Sequence, residues 1–287
     1  MTATFEDTLA RFRQTVSGPA EEVPLARAAL VIAQSEYPSL DIDAFERRLQ
    51  DIAETLGHQL GRDPERQTPH FVVRGINRYL YRELGFRGNS EFYDDPKNLY
   101  MNEVLSERLG IPVTLAILYA DVCQRIGLDV RPVGLPGHVV CRYTPAGVAE
   151  DAVLIDVFNF GRLLTPRDCQ VLLRNIFGAR VPFKEHYLAS LSPRQVIQRL
   201  LHNLKAGYLQ HGDEDRAARV IDLLIAMFPW DLDEIRDRGM LRERLGEVDS
   251  ALQDLEEYVR FRAGARDIQT VTEAVRSLRR HRPDEAR

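Results

Sequence analysis

From Asp41 to Leu60 the apolar residues Ile42, Phe45, Leu49, Ile52, Leu56 and Leu60 recur at three- and four-residue steps, which predicts an amphipathic helix with one covered face. Asp41 or Asp43 supplies its N-cap, and Gly61 with the polar run from Arg62 to Thr68 ends it. The apolar run Ala26 to Gln34 predicts a helix before it, and Phe71 to Leu84, stopped by Gly85, a helix after it. Gly85 to Lys97 is rich in turn residues but carries Phe86, Phe92 and Tyr93, so it reads as a packed loop. Helical spacing resumes from Asn98 to Leu109 and breaks at Gly110-Ile111-Pro112. It starts again with Pro112 in the first turn, where the missing N–H is no loss, and ends on Gly127.

Beyond Gly127 the period shortens to two. Asp129 to Val133, Val139 to Tyr143 and Val153 to Val157 are β-branched runs separated by Pro136-Gly137 and Pro145-Ala146-Gly147, which predicts three antiparallel strands. A helix followed by such strands defines an α+β unit with a sheet packed on a helix. From Ser192 onward the pattern is helical and repeats. Gly212 and Gly246, Ala217 and Ala251, and Ile221 and Leu255 are each 34 residues apart, the period of a tetratricopeptide helix pair. Tyr208 and Pro229 fall on that repeat's aromatic and closing-proline positions, whereas the second copy has Arg242 at the aromatic position. A last helix, Ile268 to Leu278, caps the stack. Phe228-Pro229-Trp230 reads as a plug at a helix corner or, alternatively, as part of a peptide-binding surface. Three regions result: a helical part over residues 1–70, a core over 71–191, and a repeat region over 192–287.

Composition changes this picture little. The chain of 287 residues is 44% hydrophobic and 28% charged with a net charge of -5, as expected of a globular protein without the basic bias of a nucleic-acid binder. No apolar run is long enough for a membrane span, and Met1 to Ala20 lacks the pattern of a signal peptide, so a cytoplasmic protein is expected. Cys123, Cys141 and Cys169 have no metal-site spacing and read as small core hydrophobes; neither a metal nor another cofactor is expected.

His138 and Asp156 are the residues best placed for chemistry. His138 opens one predicted strand after Pro136-Gly137 and Asp156 lies near the end of the next, so adjacent strands can bring a carboxylate to an imidazole and fix its tautomer. The aromatics Phe86, Phe92, Tyr93, Tyr100 and Phe158 read as core and loop staples, with the lining of a binding groove as the alternative for some of them.

The segments Asn98-Leu99-Tyr100-Met101-Asn102-Glu103-Val104-Leu105, Arg108-Leu109-Gly110-Ile111-Pro112-Val113-Thr114-Leu115, Gly127-Leu128, Leu135-Pro136-Gly137-His138 and Ile155-Asp156-Val157-Phe158-Asn159 resemble the transglutaminase-like core of the bacterial SirB family. Glu36-Tyr37-Pro38 and Arg236-Asp237-Arg238-Gly239 are also similar to this family, and the resemblance covers most of the chain. It implies a transglutaminase-like, papain-like core followed by a tetratricopeptide-like region. The wider superfamily uses a Cys-His-Asp triad, with the cysteine opening a helix. On this chain His138 and Asp156 match two triad positions, Ala116 takes the small position one turn after the nucleophile, and the nucleophile's place falls on Pro112, 15 residues before Gly127. Proline cannot attack.

No other side chain fits that role well. Cys123 lies 11 residues beyond Pro112, about 16 Å along the helix, and Cys141, three positions after His138 on a strand, points to the opposite face. Thr114 is turned by about 200° from Pro112 and reads better as a hydroxyl bonding locally near a helix start. Asn98 and Asn102, with Glu103, read as cap and packing groups able to line a cleft. Two functional classes remain. The first, which the resemblance favours, is a non-catalytic interaction or scaffold protein with an unidentified protein partner and no nucleic-acid or membrane ligand. The second is a hydrolase or acyl-transferase with His138 as base, Asp156 as orienter, and Thr114 or water as attacker.

Overall fold

A computed structural model describes residues 3–61, 68–146, 148 and 151–281. Along the chain run α1 (Phe5–Thr15), α2 (Leu25–Ala33), α3 (Ile42–Leu60), α4 (Pro69–Asn77), β1 (Arg87–Gly88), α5 (Met101–Glu107), β2 (Leu109–Gly110) and α6 (Pro112–Arg125). There follow β3 (Asp129–Leu135), β4 (His138–Thr144), β5 (Val153–Asp156), β6 (Arg162–Leu164), α7 (Pro166–Phe177), α8 (Pro193–Gln210), α9 (Glu214–Met227), α10 (Leu232–Arg244), α11 (Val248–Phe261) and α12 (Ile268–His281). The chain divides into two units at Leu200/Leu201, within α8, with Leu9–Arg13 grouped with the second.

In the first unit, α6 is buried on nearly every side from Pro112 to Cys123, as its almost continuous apolar sequence requires. Helix α3 packs against it, burying Ile42, Leu49, Ile52, Leu56 and Leu60, while the Asp41 carboxylate accepts the Ala44 N–H at 3.0 Å as N-cap. Strands β3, β4, β5 and β6 form an antiparallel meander in that order. The sheet packs on α6, where the Cys141 thiol approaches the Ala116 carbonyl at 3.8 Å. A separate cluster of Val133, Leu135, Val140, Leu154 and Leu164 takes in Cys169 of α7.

Four features differ from the expectations. A fourth strand and α7 follow the three expected strands; α7 opens with a Thr165–Asp168 capping box. The helix after Gly85 is preceded by a tight turn at Pro96–Leu99 and ends at Glu107, with Arg108 left-handed (φ 61°), because Leu109–Gly110 pairs in parallel with Arg87–Gly88. The expected packed loop buries Phe86 but leaves Phe92 exposed. Trp230 is 70% exposed and meets Phe228 edge-on, so it does not plug a helix corner. The run 62–67 and Gly147, expected in turns, lie outside the described residues.

The second unit keeps the repeat. Gly212 and Gly246 take positive φ (73° and 78°), and the paired positions Ala217, Ala251, Ile221 and Leu255 are all buried. Arg242, at the position where an aromatic was expected, donates to Asp254 at 3.0 Å. Asp254 is buried and also receives a two-pronged bond from Arg238 at 2.6 and 2.8 Å, so ion pairing replaces an aromatic contact here.

Candidate functional site

The β3–β4 hairpin pairs His138 with Leu135, and β4 pairs with β5 through Cys141↔Ile155 and Tyr143↔Val153. Continued by one pair, that register sets Asp156 beside Val140, on the same face as His138 and diagonal to it. The result is a direct bond: His138 Nε2 lies 2.9 Å from Asp156 Oδ1, with both side chains buried. Burial would raise the Asp156 carboxyl, but the hydrogen bond and charge of His138 together with the Asn159 groups outweigh it and hold the acid below its ordinary value. An ionised carboxylate only accepts, so Nε2 carries the proton and Nδ1 is left as the nitrogen without a carboxylate.

The pair is held from several directions. Asn159 donates to Asp156 Oδ2 at 2.7 Å, and the N–H groups of Asn159 and Gly161 donate to its carbonyl. Tyr81 donates to the Val157 carbonyl at 3.0 Å, and Asn77 donates to the Gly161 carbonyl at 2.7 Å while accepting from Tyr119. The 157–161 turn is therefore tied to the last residue of α4 and to the π turns that follow it, and Tyr119 of α6 braces Asn77 from behind. Phe158 stands edge-on between His138 and Tyr93. Arg199 donates through one nitrogen to the carbonyls of Leu135 and His138, at 2.8 and 2.9 Å, fixing the hairpin at whose end the imidazole sits.

Arg199, Asn77 and Tyr81 carried no signal in the sequence, because each reaches its partner across 61 to 84 residues. Asn159 was legible: it stands three residues after Asp156, a spacing that favours a local side-chain bond.

The other expected site residues fall differently. Pro112 is in the first turn of α6 and buried. Thr114 is fully buried; its hydroxyl lies 2.8 Å from the Asn98 carbonyl and accepts the Ile111 N–H at 3.1 Å, which fixes it as a local staple and leaves no open face for attack. Asn98 donates to the carbonyls of Phe92 and Tyr93 and accepts from Asn89, so it holds the 89–93 loop and does not line an open cleft. Asn102 is also buried, its amide 3.4 Å from Glu103. The three thiols are buried, and desolvation pushes each one up, that of Cys169 to about 11. Among the described residues no group of three His, Cys, Asp or Glu side chains could hold a metal.

A helix packed on an antiparallel sheet, with a histidine and an aspartate joined across strand ends, agrees with the sequence match: the chain belongs to the transglutaminase-like superfamily, whose model matches residues 43–202. A tetratricopeptide-repeat model matches residues 204–276. Within the superfamily it is a member of the UPF0162 family. It is 32% identical over 255 residues to the UPF0162 protein of Xylella fastidiosa (strain Temecula1), covering 88% of each chain. It is 26% identical to that of Vibrio cholerae, covering 83% of this chain and 86% of the relative. F-box only protein 21 of Mus musculus is 31% identical over 170 residues, 55% of this chain and 26% of that protein. The crystal structure of menin aligns weakly, with a TM-score of 0.45 and 15% identity over 97% of this chain and 70% of that one. No described helix is long and apolar enough to cross a membrane.

Proposed function

We propose that this chain is a non-catalytic protein-interaction or scaffold protein, a SirB-type pseudoenzyme of the cytoplasm, with residues 1–70 and 71–191 forming its transglutaminase-like part and 192–287 its repeat region. The observation that carries the reading is the pairing of an intact His138–Asp156 bond at 2.9 Å with a proline, Pro112, at the position matched to the attacking cysteine. The state of the three thiols supports it, since each is buried and raised away from the thiolate form. His138 and Asp156 then serve as a rigid polar edge beside which a protein segment binds; the repeat region offers a second surface, and neither nucleic acid nor membrane nor cofactor takes part. A hydrolase or acyl-transferase using water is the second reading, favoured by the Nδ1 atom that the Asp156 bond leaves unused.

Native-lysate capture with the full chain and His138→Ala as parallel baits, followed by calorimetry on each enriched protein, tests this. The interaction reading expects affinity, measured well below each variant's own melting temperature, to fall in His138→Ala by more than that variant's loss of stability accounts for. Turnover by the native chain that disappears in His138→Ala would overturn it.

A further inference from the structure

A cavity of about 670 Å³ is bordered by Phe160 of the 157–161 turn and by that turn's anchors Asn77 and Tyr81, and its chemistry is unlike that of the chain as a whole. Arg74, Arg78 and Arg82 line it together with His70, and among the described residues no carboxylate lines it, in a chain whose net charge is -5. Arg78 is partly neutralised by Glu83 at 3.2 Å; among the described residues Arg74 and Arg82 pair with no acid. Two aromatic rings also line the cavity while remaining open to solvent, Phe71 at 59% and Phe160 at 64% exposure.

Phe160 is not loosely placed. Its backbone is left-handed (φ 54°), a conformation a phenylalanine rarely adopts, and it sits in the turn anchored by Tyr81 and Asn77. The ring meets the buried Tyr81 edge-on and otherwise faces water, and backbone strain of this kind concentrates where a surface contacts something else.

We propose that this cavity docks an acidic segment of a protein partner, whose carboxylates pair with Arg74, Arg78 and Arg82 and whose apolar side chain packs on Phe71 and Phe160. The three arginines recur every four residues, from α4 into the π turns that follow Asn77, and all three line the same cavity. Guanidinium groups suit carboxylates in two-pronged bonds, and the rings supply the apolar anchor that gives such a contact its specificity. The assignment rests on the interaction reading above and names one partner surface for it.

Display selection of random nine-residue peptides on the full chain tests the assignment, with leading peptides measured by fluorescence anisotropy. The expected peptides carry alternating Asp or Glu beside Leu, Ile, Phe or Trp. Affinity should fall about tenfold or more in Arg74→Glu/Arg82→Glu, and with added salt. Phe160→Gly should lose binding by a similar factor while its melting temperature holds or rises, since glycine accepts the left-handed backbone. Selected peptides without acidic bias, or bound equally by both variants, would overturn the proposal. So would tighter binding of a fluorescein-labelled single-stranded DNA, or a dimer that the arginine variant dissolves, either of which gives the site to another occupant. If the arginine variant has no effect while His138→Ala still weakens a captured partner, this surface fails and the interaction reading stands.

Discussion

His138 Nε2 and Asp156 Oδ1 meet at 2.9 Å across the ends of β4 and β5, inside the protein and with Asn159 closing the other carboxylate oxygen. A buried carboxylate satisfied in this way stabilises the fold only while it is ionised.

That linkage has a definite sign. The Asp156 carboxyl is held below its ordinary value in the folded state, so its contribution is complete above the unfolded value, near 3.9, and is lost as pH falls through the lowered folded value. Asp156→Asn should therefore lose about 1–3 kcal/mol at pH 7, and the difference from the native chain should shrink below about pH 4. Urea unfolding across pH reads this; a gap that widens on acidification would contradict it.

Thiol chemistry probes the nucleophile position. The native chain should leave its three cysteines unreactive toward an aromatic disulfide until it is unfolded, because each is buried and its thiolate disfavoured. Pro112 is buried in the same way, so Pro112→Cys should add a fourth thiol that is silent in the folded chain and counted only on unfolding. A fourth thiol that reacts in the folded chain, with low-pH alkylation that His138→Ala abolishes, would contradict that burial and show an open cleft beside the histidine.

Gly161 has φ 69°, and an added Cβ would lie 2.0 Å from the Asn77 side-chain oxygen. Gly161→Ala should strain the backbone and push Asn77 from the turn at once, costing about 2 kcal/mol or more. Thermal unfolding measures this; an unchanged melting temperature would mean the turn is not anchored through Asn77.

In the repeat unit Asp254 is held by Arg238 and Arg242, and Arg238 also reaches Asp222 at 2.7 Å. Asp254→Ala leaves two partly buried guanidinium groups short of charge and should destabilise that unit by about 3 kcal/mol. A shift under about 0.5 kcal/mol in urea unfolding would place the pair among solvent-screened contacts.

Elements with a strong local period were legible. The stripe from Ile42 to Leu60 and the glycines at 212 and 246 name their own structures, because helix periodicity and left-handed stops are written in adjacent residues. Helix α7 escaped notice because only Cys169 and Leu173 of it are buried, although Thr165 and Asp168 spell a capping box. The β1–β2 pairing and the π turns after Asn77, where the Leu84 N–H bonds back to Tyr79, depend on distant packing and leave no local pattern. In the site, the strand-end placement of His138 and Asp156 was readable from alternation. The orphaned role of Thr114 as attacker was not excluded by spacing alone; its bond to Asn98, 16 residues away, decides it.

The central claim, a transglutaminase-like fold that binds without reacting, is tested most directly by the intact mass of a captured partner after incubation with the native chain and with His138→Ala. The account predicts an unchanged mass in both. A hydrolysed, deamidated or cross-linked partner that forms with the native chain and not with His138→Ala would contradict it.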